Sequence, residues 1–151
     1  MTSNSSLANL PIEFEFDHVG IAVNSLAEGA KFYEALGLKG SPIEVVEREK
    51  VRVQMFELGN NSRIELLEST SPDGPIAKFI AKRGVGLQQM CLRVKDVRAA
   101  LAKLKASGYK LINEEPFKGA HNCLVAFVHP SSTGGVLLEL SQPMGEAGAK
   151  K

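Results

Sequence analysis

The sequence is written twice. Adding 71 to positions in the first half (18 becomes 89) returns the same pattern: Phe16-Asp17-His18-Val19-Gly20-Ile21-Ala22-Val23 falls on Leu87-Gln88-Gln89-Met90-Cys91-Leu92-Arg93-Val94. The same offset pairs Ser25 with Asp96, Leu26 with Val97, Tyr33 with Leu104, Gly37 with Gly108 and Phe56 with Phe127. A chain with such a repeat folds as two copies of one small module, and equivalent positions of the copies can converge on a shared seam. Polar residues at those positions are the first candidates for chemistry.

Each copy reads strand, helix, then strands, so the expected fold class is α+β with two tandem βαβββ modules. In the first, Phe14 to Val23 is rich in strand formers, and Asn24-Ser25 offers a cap to a helix. The apolar positions Leu26, Ala30, Tyr33 and Leu36 recur at helical spacing until Gly37. Short strands are expected near Ile43 to Val46, over Val51 to Leu58 and over Arg63 to Leu67, the last two joined by the turn Gly59-Asn60-Asn61-Ser62. The second copy offers Gln88 to Val94, the cap Asp96, and a helix face of Val97, Ala100, Leu101 and Leu104 up to Gly108. Strands Lys110 to Asn113, Cys123 to Val128 and Val136 to Leu140 follow.

The 151 residues suit one domain over 14–143, made of modules 14–70 and 86–143. Linker segment 71–85 joins them, with Ser71-Pro72-Asp73-Gly74-Pro75 opening a helix from Ile76 to Lys82 and Gly84 closing it. Residues 1–13 read as a disordered arm and 144–151 as a flexible tail. Eighteen Lys and Arg against seventeen Asp and Glu leave a net charge of +1, which lacks the basic field that a nucleic-acid or membrane-surface partner requires. No apolar run approaches the roughly 20 residues of a membrane span, and the first residues lack a secretory pattern. Cys91 and Cys123 sit in expected strands in apolar company and read as reduced thiols, so a cytoplasmic protein is expected.

Four polar residues stand where strands favour apolar ones. His18 and Gln89 are repeat mates. Glu65, in Ile64-Glu65-Leu66-Leu67, and Glu139, in Leu138-Glu139-Leu140, are equivalents at an offset of 74 (65 to 139), the difference absorbed by a longer final turn. A lone strand histidine is more often structural than functional, but a carboxylate among leucines is costly unless paired or bound to a metal, and here it occurs twice. Together His18, Glu65, Gln89 and Glu139 supply one imidazole nitrogen and three oxygens, a set suited to a divalent ion with open positions. Weaker signals receive plainer readings. His121, in Gly119-Ala120-His121, can reach a pocket mouth but is read as a loop histidine; His129-Pro130 reads as turn chemistry. Lys78, Lys82 and Arg83 read as a solvated face, and Gly134-Gly135 lacks the setting of a phosphate-binding loop.

From Phe16 to Pro143 the chain resembles the vicinal-oxygen-chelate (glyoxalase/bleomycin resistance) superfamily and, within it, the methylmalonyl-CoA epimerase family. The resemblance rests on Asp17-His18-Val19-Gly20-Ile21-Ala22-Val23, on Ile64-Glu65-Leu66-Leu67-Glu68, on Ser71-Pro72-Asp73-Gly74-Pro75-Ile76-Ala77-Lys78-Phe79, and on His129-Pro130 with Gly134-Gly135-Val136-Leu137-Leu138-Glu139-Leu140. It implies a curved mixed sheet with a central cleft and one divalent ion (Co, Ni, Mn or Zn) on His18, Glu65, Gln89 and Glu139. It further implies a homodimer acting on an acyl-CoA, with exchange of the C2 proton of methylmalonyl-CoA through an enolate. Glu139 would be the first base and Glu65 the second, with Glu47 and Glu49 on the stretch Glu44 to Lys50 as further candidates. The chain departs from the family in having Gln88-Gln89 where epimerases usually show His-His. Glutamine is a chelator elsewhere in the superfamily, including the lactoylglutathione lyases. A lyase of that kind, or a metal-free ligand-binding member of the superfamily, remains the alternative reading.

Overall fold

The structure is a computed structural model that describes residues 12–144, so the expected arm and tail lie outside the described residues except for 12, 13 and 144. Its elements in chain order are β1 (Phe14–Ala22), α1 (Leu26–Ala35), β2 (Glu44–Val46), β3 (Val51–Glu57), β4 (Arg63–Ser69), α2 (Pro75–Arg83), β5 (Gly86–Val94), α3 (Val97–Ala106), β6 (Phe117–Lys118), β7 (Cys123–Val128) and β8 (Leu138–Pro143). The βαβββ order expected from the repeat is therefore present twice. The eight strands form a mixed sheet in the order β2-β3-β4-β1-β5-β8-β7-β6, with β1 and β4 parallel.

The two copies begin and end their helices by the same devices. Ser25 accepts from the Glu28 amide at 3.3 Å and Asp96 from the Ala99 amide at 3.0 Å, each satisfying a donor that the first turn leaves open. The first helical amides are satisfied from the last strands: Leu26 donates to Glu68 at 3.0 Å and Val97 to Gln142 at 2.9 Å. Glu68 and Gln142 stand 74 positions apart, the offset that also relates Glu65 to Glu139. Gly37 (φ 94°) and Gly108 (φ 91°) then turn the chain out of each helix through the left-handed region.

Two compact units are present. The first comprises residues 17–91 and 119–121; the second comprises 12–16, 92–118 and 122–144. They cut across the expected module boundaries, leaving β1 after Phe16 and β5 after Cys91, and they assign the loop of His121 to the first unit. In the first unit α1 packs Leu26 and Ala30 on Phe56 and Leu66. A separate cluster of Ala22, Val46, Val51, Val53 and Leu67 lies against Ile76 of α2, with Phe79 and Ile80 beside it. Strand alternation separates the two faces, because Leu66 serves the first cluster and its neighbour Leu67 the second. In the second unit Val97, Ala100 and Leu101 of α3 pack on Val94, Ala126, Val128 and Leu140.

The sequence expectations fail at three places. Lys110 to Asn113 is not a strand: Leu111 makes one isolated bridge to Val128, where Ile112 donates to the Phe127 carbonyl at 2.9 Å and His129 to the Lys110 carbonyl at 3.0 Å, and the Asn113 side chain then takes the Phe127 amide at 2.9 Å, which ends the pairing after one bridge. The short β6 occupies that role instead. Phe56 and Phe127 are not structural mates, since Phe56 is buried under α1 whereas Phe127 pairs with Glu139 and lies outside the α3 cluster. Leu36 is 61% exposed because it is the residue that ends α1 rather than part of its packed face. Both cysteines are thiols, and Lys78, Lys82 and Arg83 are exposed, as expected. No helix among the described residues is long and apolar enough to cross a membrane.

Gly37 and Gly108 have open space where a Cβ would stand, so replacing them tests backbone strain alone. Gly37→Ala and Gly108→Ala should each lower stability by about 1 kcal/mol, measured by urea denaturation. A markedly larger loss at one of them would show that the two caps are not equivalent.

Candidate functional site

The site in the first unit follows from the parallel pairing of β1 with β4, which places His18 beside Arg63, Gly20 beside Glu65 and Ala22 beside Leu67. Successive side chains of a strand point to opposite faces, so His18 and Glu65 share the face that Ala22 and Leu67 fill with apolar bulk farther along. Both polar side chains are buried: His18 is 3% exposed and Glu65 6%. His18 Nε2 lies 3.3 Å from Glu65 Oε1.

On the other side of the imidazole, Nδ1 lies 2.7 Å from Asp17 Oδ2, and the same oxygen accepts from Arg63 at 2.8 Å. With Nδ1–H donating to Asp17, a ring that carries no proton on Nε2 turns a lone pair toward the Glu65 carboxylate. Two acceptors face to face in a buried place are stabilised by a cation between them. Two donors each about 2.1 Å from one ion stand roughly 3.0–3.4 Å apart in octahedral or tetrahedral arrangements. The observed 3.3 Å matches that separation. Such an ion would sit on the Nε2 side, with Asp17 as the carboxylate that fixes tautomer and ring orientation.

A second grouping, Asp17, His18 and Cys91, also brings its potential ligand atoms within 4.8 Å of one another. Asp17 is already bonded to the Arg63 guanidinium there, and a fixed positive charge opposes a cation. The Nε2 side is the better site.

Gln89 reaches the same face. A Cβ at Gly20 would stand 2.7 Å from Gln89 Cγ, so the bare glycine gives the Gln89 stem its room beside the register neighbour of Glu65. Glu139 belongs to the second unit, on β8, where it is 8% exposed and pairs with Phe127 of β7. Of the four candidates, then, the first unit brings His18 and Glu65 into contact and lays Gln89 over Gly20. Glu47 and Glu49 lie in a short 3-10 turn after β2, with Glu47 exposed and Glu49 half-buried.

His121, read from the sequence as an ordinary loop residue, stands at the site. Its Nε2 is 3.8 Å from Glu65 Oε2, its Nδ1 is 3.4 Å from Glu44 Oε1, and its backbone amide donates to that Glu44 oxygen at 2.9 Å. Burial pushes its pKa below the ordinary histidine value; Glu44 opposes this, while Arg63 and His18 add to it. Asp17 and Arg63 were also missed. The signal for Asp17 was present, since a carboxylate immediately before a strand histidine can orient its ring.

Comparison with known proteins places these features in context. Residues 17–127 match the family described as the glyoxalase/bleomycin resistance protein/dioxygenase superfamily. The uncharacterized protein YqjC of Bacillus subtilis is 37% identical over 131 residues, covering 86% of this chain and 93% of YqjC. The mitochondrial methylmalonyl-CoA epimerase of Bos taurus is 38% identical over 129 residues, covering 83% of this chain and 73% of that one. The crystal structure of methylmalonyl-CoA epimerase from Mycobacterium tuberculosis superposes with a TM-score of 0.83 at 34% identity, covering 89% of this chain and 91% of that one.

Burial raises the Asp17 pKa, but hydrogen bonds from His18 and Arg63, and their positive charges, outweigh it and hold the carboxyl well below the usual carboxylate range. A depressed folded-state pKa contributes stability that is fully present above the ordinary value of 3.8 and is lost as pH falls below it. Asp17→Asn should therefore cost about 2 kcal/mol at neutral pH and flatten the decline of stability below pH 4. Urea denaturation across pH 2 to 7 reads both effects.

Proposed function

We propose that this chain, which belongs to the glyoxalase/bleomycin resistance protein/dioxygenase superfamily and, within it, to the methylmalonyl-CoA epimerases, interconverts the C2 epimers of methylmalonyl-CoA by proton exchange through an enolate. The observation that carries the reading is the buried contact of His18 Nε2 with Glu65 Oε1, at a separation that suits two ligands of one ion. His18, Glu65, Gln89 and Glu139 would hold that ion, of the Co, Ni, Mn or Zn class. When bound it supplies Lewis-acid stabilisation of the negative charge that develops on the substrate oxygens, an effect worth several kcal/mol.

The remaining work falls to the chain's own groups. Asp17 holds the His18 ring in place. Gly20 leaves space for Gln89, whose amide oxygen substitutes for an imidazole. Glu139, the repeat mate of Glu65, takes the C2 proton from one face of the substrate. Glu65 returns a proton to the other face, so that configuration inverts while the carboxylates exchange roles in the reverse direction. Buried carboxyl groups, one ionised to take the proton and the other protonated to give one, suit this work because water does not compete for the proton in transit. The two thiols and an acyl-CoA substrate accord with a cytoplasmic enzyme, and the family resemblance with a homodimer. The near-zero net charge accords with a small-molecule partner rather than a nucleic acid or a membrane.

Protein in D₂O with saturating cobalt should wash deuterium into C2 of methylmalonyl-CoA, and Glu139→Gln should reduce the rate by roughly 10²–10⁴-fold. Absent wash-in by the wild type, with turnover of a glutathione hemithioacetal, would assign the lyase reaction instead. Absent turnover of both would assign a ligand-binding role.

Gln89→His should bind cobalt or zinc more tightly, because a neutral imidazole is the better donor for late divalent ions. Calorimetric titration of both proteins decides it. Equal or weaker affinity in the variant would mean that the site is built around the amide.

A further inference from the structure

We propose that His121 is the positioning residue of the Glu65 carboxylate, holding it so that a single oxygen faces the metal. The inference rests on the reading of His18 and Glu65 as ligands of one ion. The two oxygens of Glu65 face two different imidazoles: Oε1 lies 3.3 Å from His18 Nε2, and Oε2 lies 3.8 Å from His121 Nε2. A carboxylate can bind an ion through one oxygen or through both. An imidazole on the Oε2 side leaves Oε1 alone beside His18, and it keeps a further coordination position for substrate.

The placement of His121 is built rather than incidental. Its backbone is left-handed, with φ 59°, a conformation that costs a side chain-bearing residue energy and persists where surrounding contacts impose it. Glu44 of β2 provides those contacts. Its Oε1 receives the His121 backbone amide at 2.9 Å and lies 3.4 Å from Nδ1 of the ring, so one carboxylate oxygen fixes both the turn and the far side of the imidazole. With Nδ1 directed at Glu44, Nε2 is directed at Glu65. The ring is only 25% exposed. A loop histidine with no role would cost less turned to water in an unstrained turn.

The test uses the metal-free chain titrated with Co²⁺ and reads affinity by calorimetry and coordination by the visible cobalt absorption, which weakens as coordination number rises. His121→Leu should weaken the band, because Glu65 can then bind through both oxygens. His121→Gln, whose polar side chain still fills the space beside Oε2, should keep the wild-type band. Glu65→Gln should lower Co²⁺ affinity at least tenfold. A wild-type band and affinity in His121→Leu, together with the loss in Glu65→Gln, overturns the positioning role and leaves the site intact. Wild-type affinity in Glu65→Gln removes Glu65 from the site and this proposal with it. If His121→Leu does not fold, Glu44→Ala takes its place: it releases the tether and keeps both imidazoles, it should weaken the band in the same direction, and an unchanged band overturns the proposal.

Discussion

A carboxylate in the middle of an apolar strand is the constraint on which the first unit depends. Glu65 lies between Ile64 and Leu66 and is 6% exposed, and an ionised group placed there costs several kcal/mol unless its charge is answered. In the proposed site that answer is an ion shared with β1, whose parallel pairing with β4 sets Gly20 beside Glu65 and brings His18 to within 3.3 Å of it. Parallel neighbours cannot be joined by a tight turn, so α1 and the β2–β3 hairpin must carry the chain across before β4 begins. The local chemistry of Glu65 and the crossover topology are thus one requirement stated at two scales.

Apolar packing assigns the two faces of these strands. Leu66 goes under α1 with Phe56, and Leu67 goes to the cluster held by α2, so Glu65 shares with Leu67 a face that is apolar at one end and polar at the other. The position of α2 is itself secured locally. Lys50 bonds Asp73 at 3.0 Å, and the side chains of Ser71 and Asp73 bond each other at the turn that opens the helix. Hydrogen bonds from Ser71 and then from Lys50 hold the Asp73 pKa down to about 2, so this exposed clasp is ionised at neutral pH and below the ordinary carboxylate range.

Much of this was legible because the repeat constrains the chain twice. The strand–helix–strand order, both N-caps, both glycine stops and the candidates His18, Glu65, Gln89 and Glu139 could be read from residue types at fixed offsets. The failures share a cause. The Asn113 side chain ends the pairing of its segment with β7 after one bridge, Phe127 stays out of the α3 cluster whereas its arithmetic partner Phe56 is buried under α1, and His121 reaches Glu65 from a left-handed turn far along the chain. Each depends on how a side chain is used in three dimensions, about which periodicity is silent. Offsets also drift where a turn changes length: 71 relates the helices, whereas 74 relates β4 to β8, and a pair counted across that change loses its meaning.

The divergence of the two copies carries information that their likeness does not. In the first copy an imidazole, His18, is accompanied by a carboxylate, Asp17, that bonds its Nδ1, and by Arg63, which answers the charge of that carboxylate. In the second copy the corresponding residues are Gln89, Gln88 and, at the offset of 74, Leu137. All three members change together. An imidazole ligand has two tautomers and needs a neighbour to choose between them, and a buried carboxylate that makes the choice needs a cation. An amide ligand has a carbonyl oxygen in every state, so it needs neither. Gln89 therefore stands in a copy that has dispensed with the whole orienting apparatus, and the ordered imidazole–carboxylate–arginine chain belongs to the first copy alone. Within that copy His121 and Glu44 extend the same logic to Glu65 under the proposed reading, each proposed ligand facing a second residue whose own charge or backbone is held by a third.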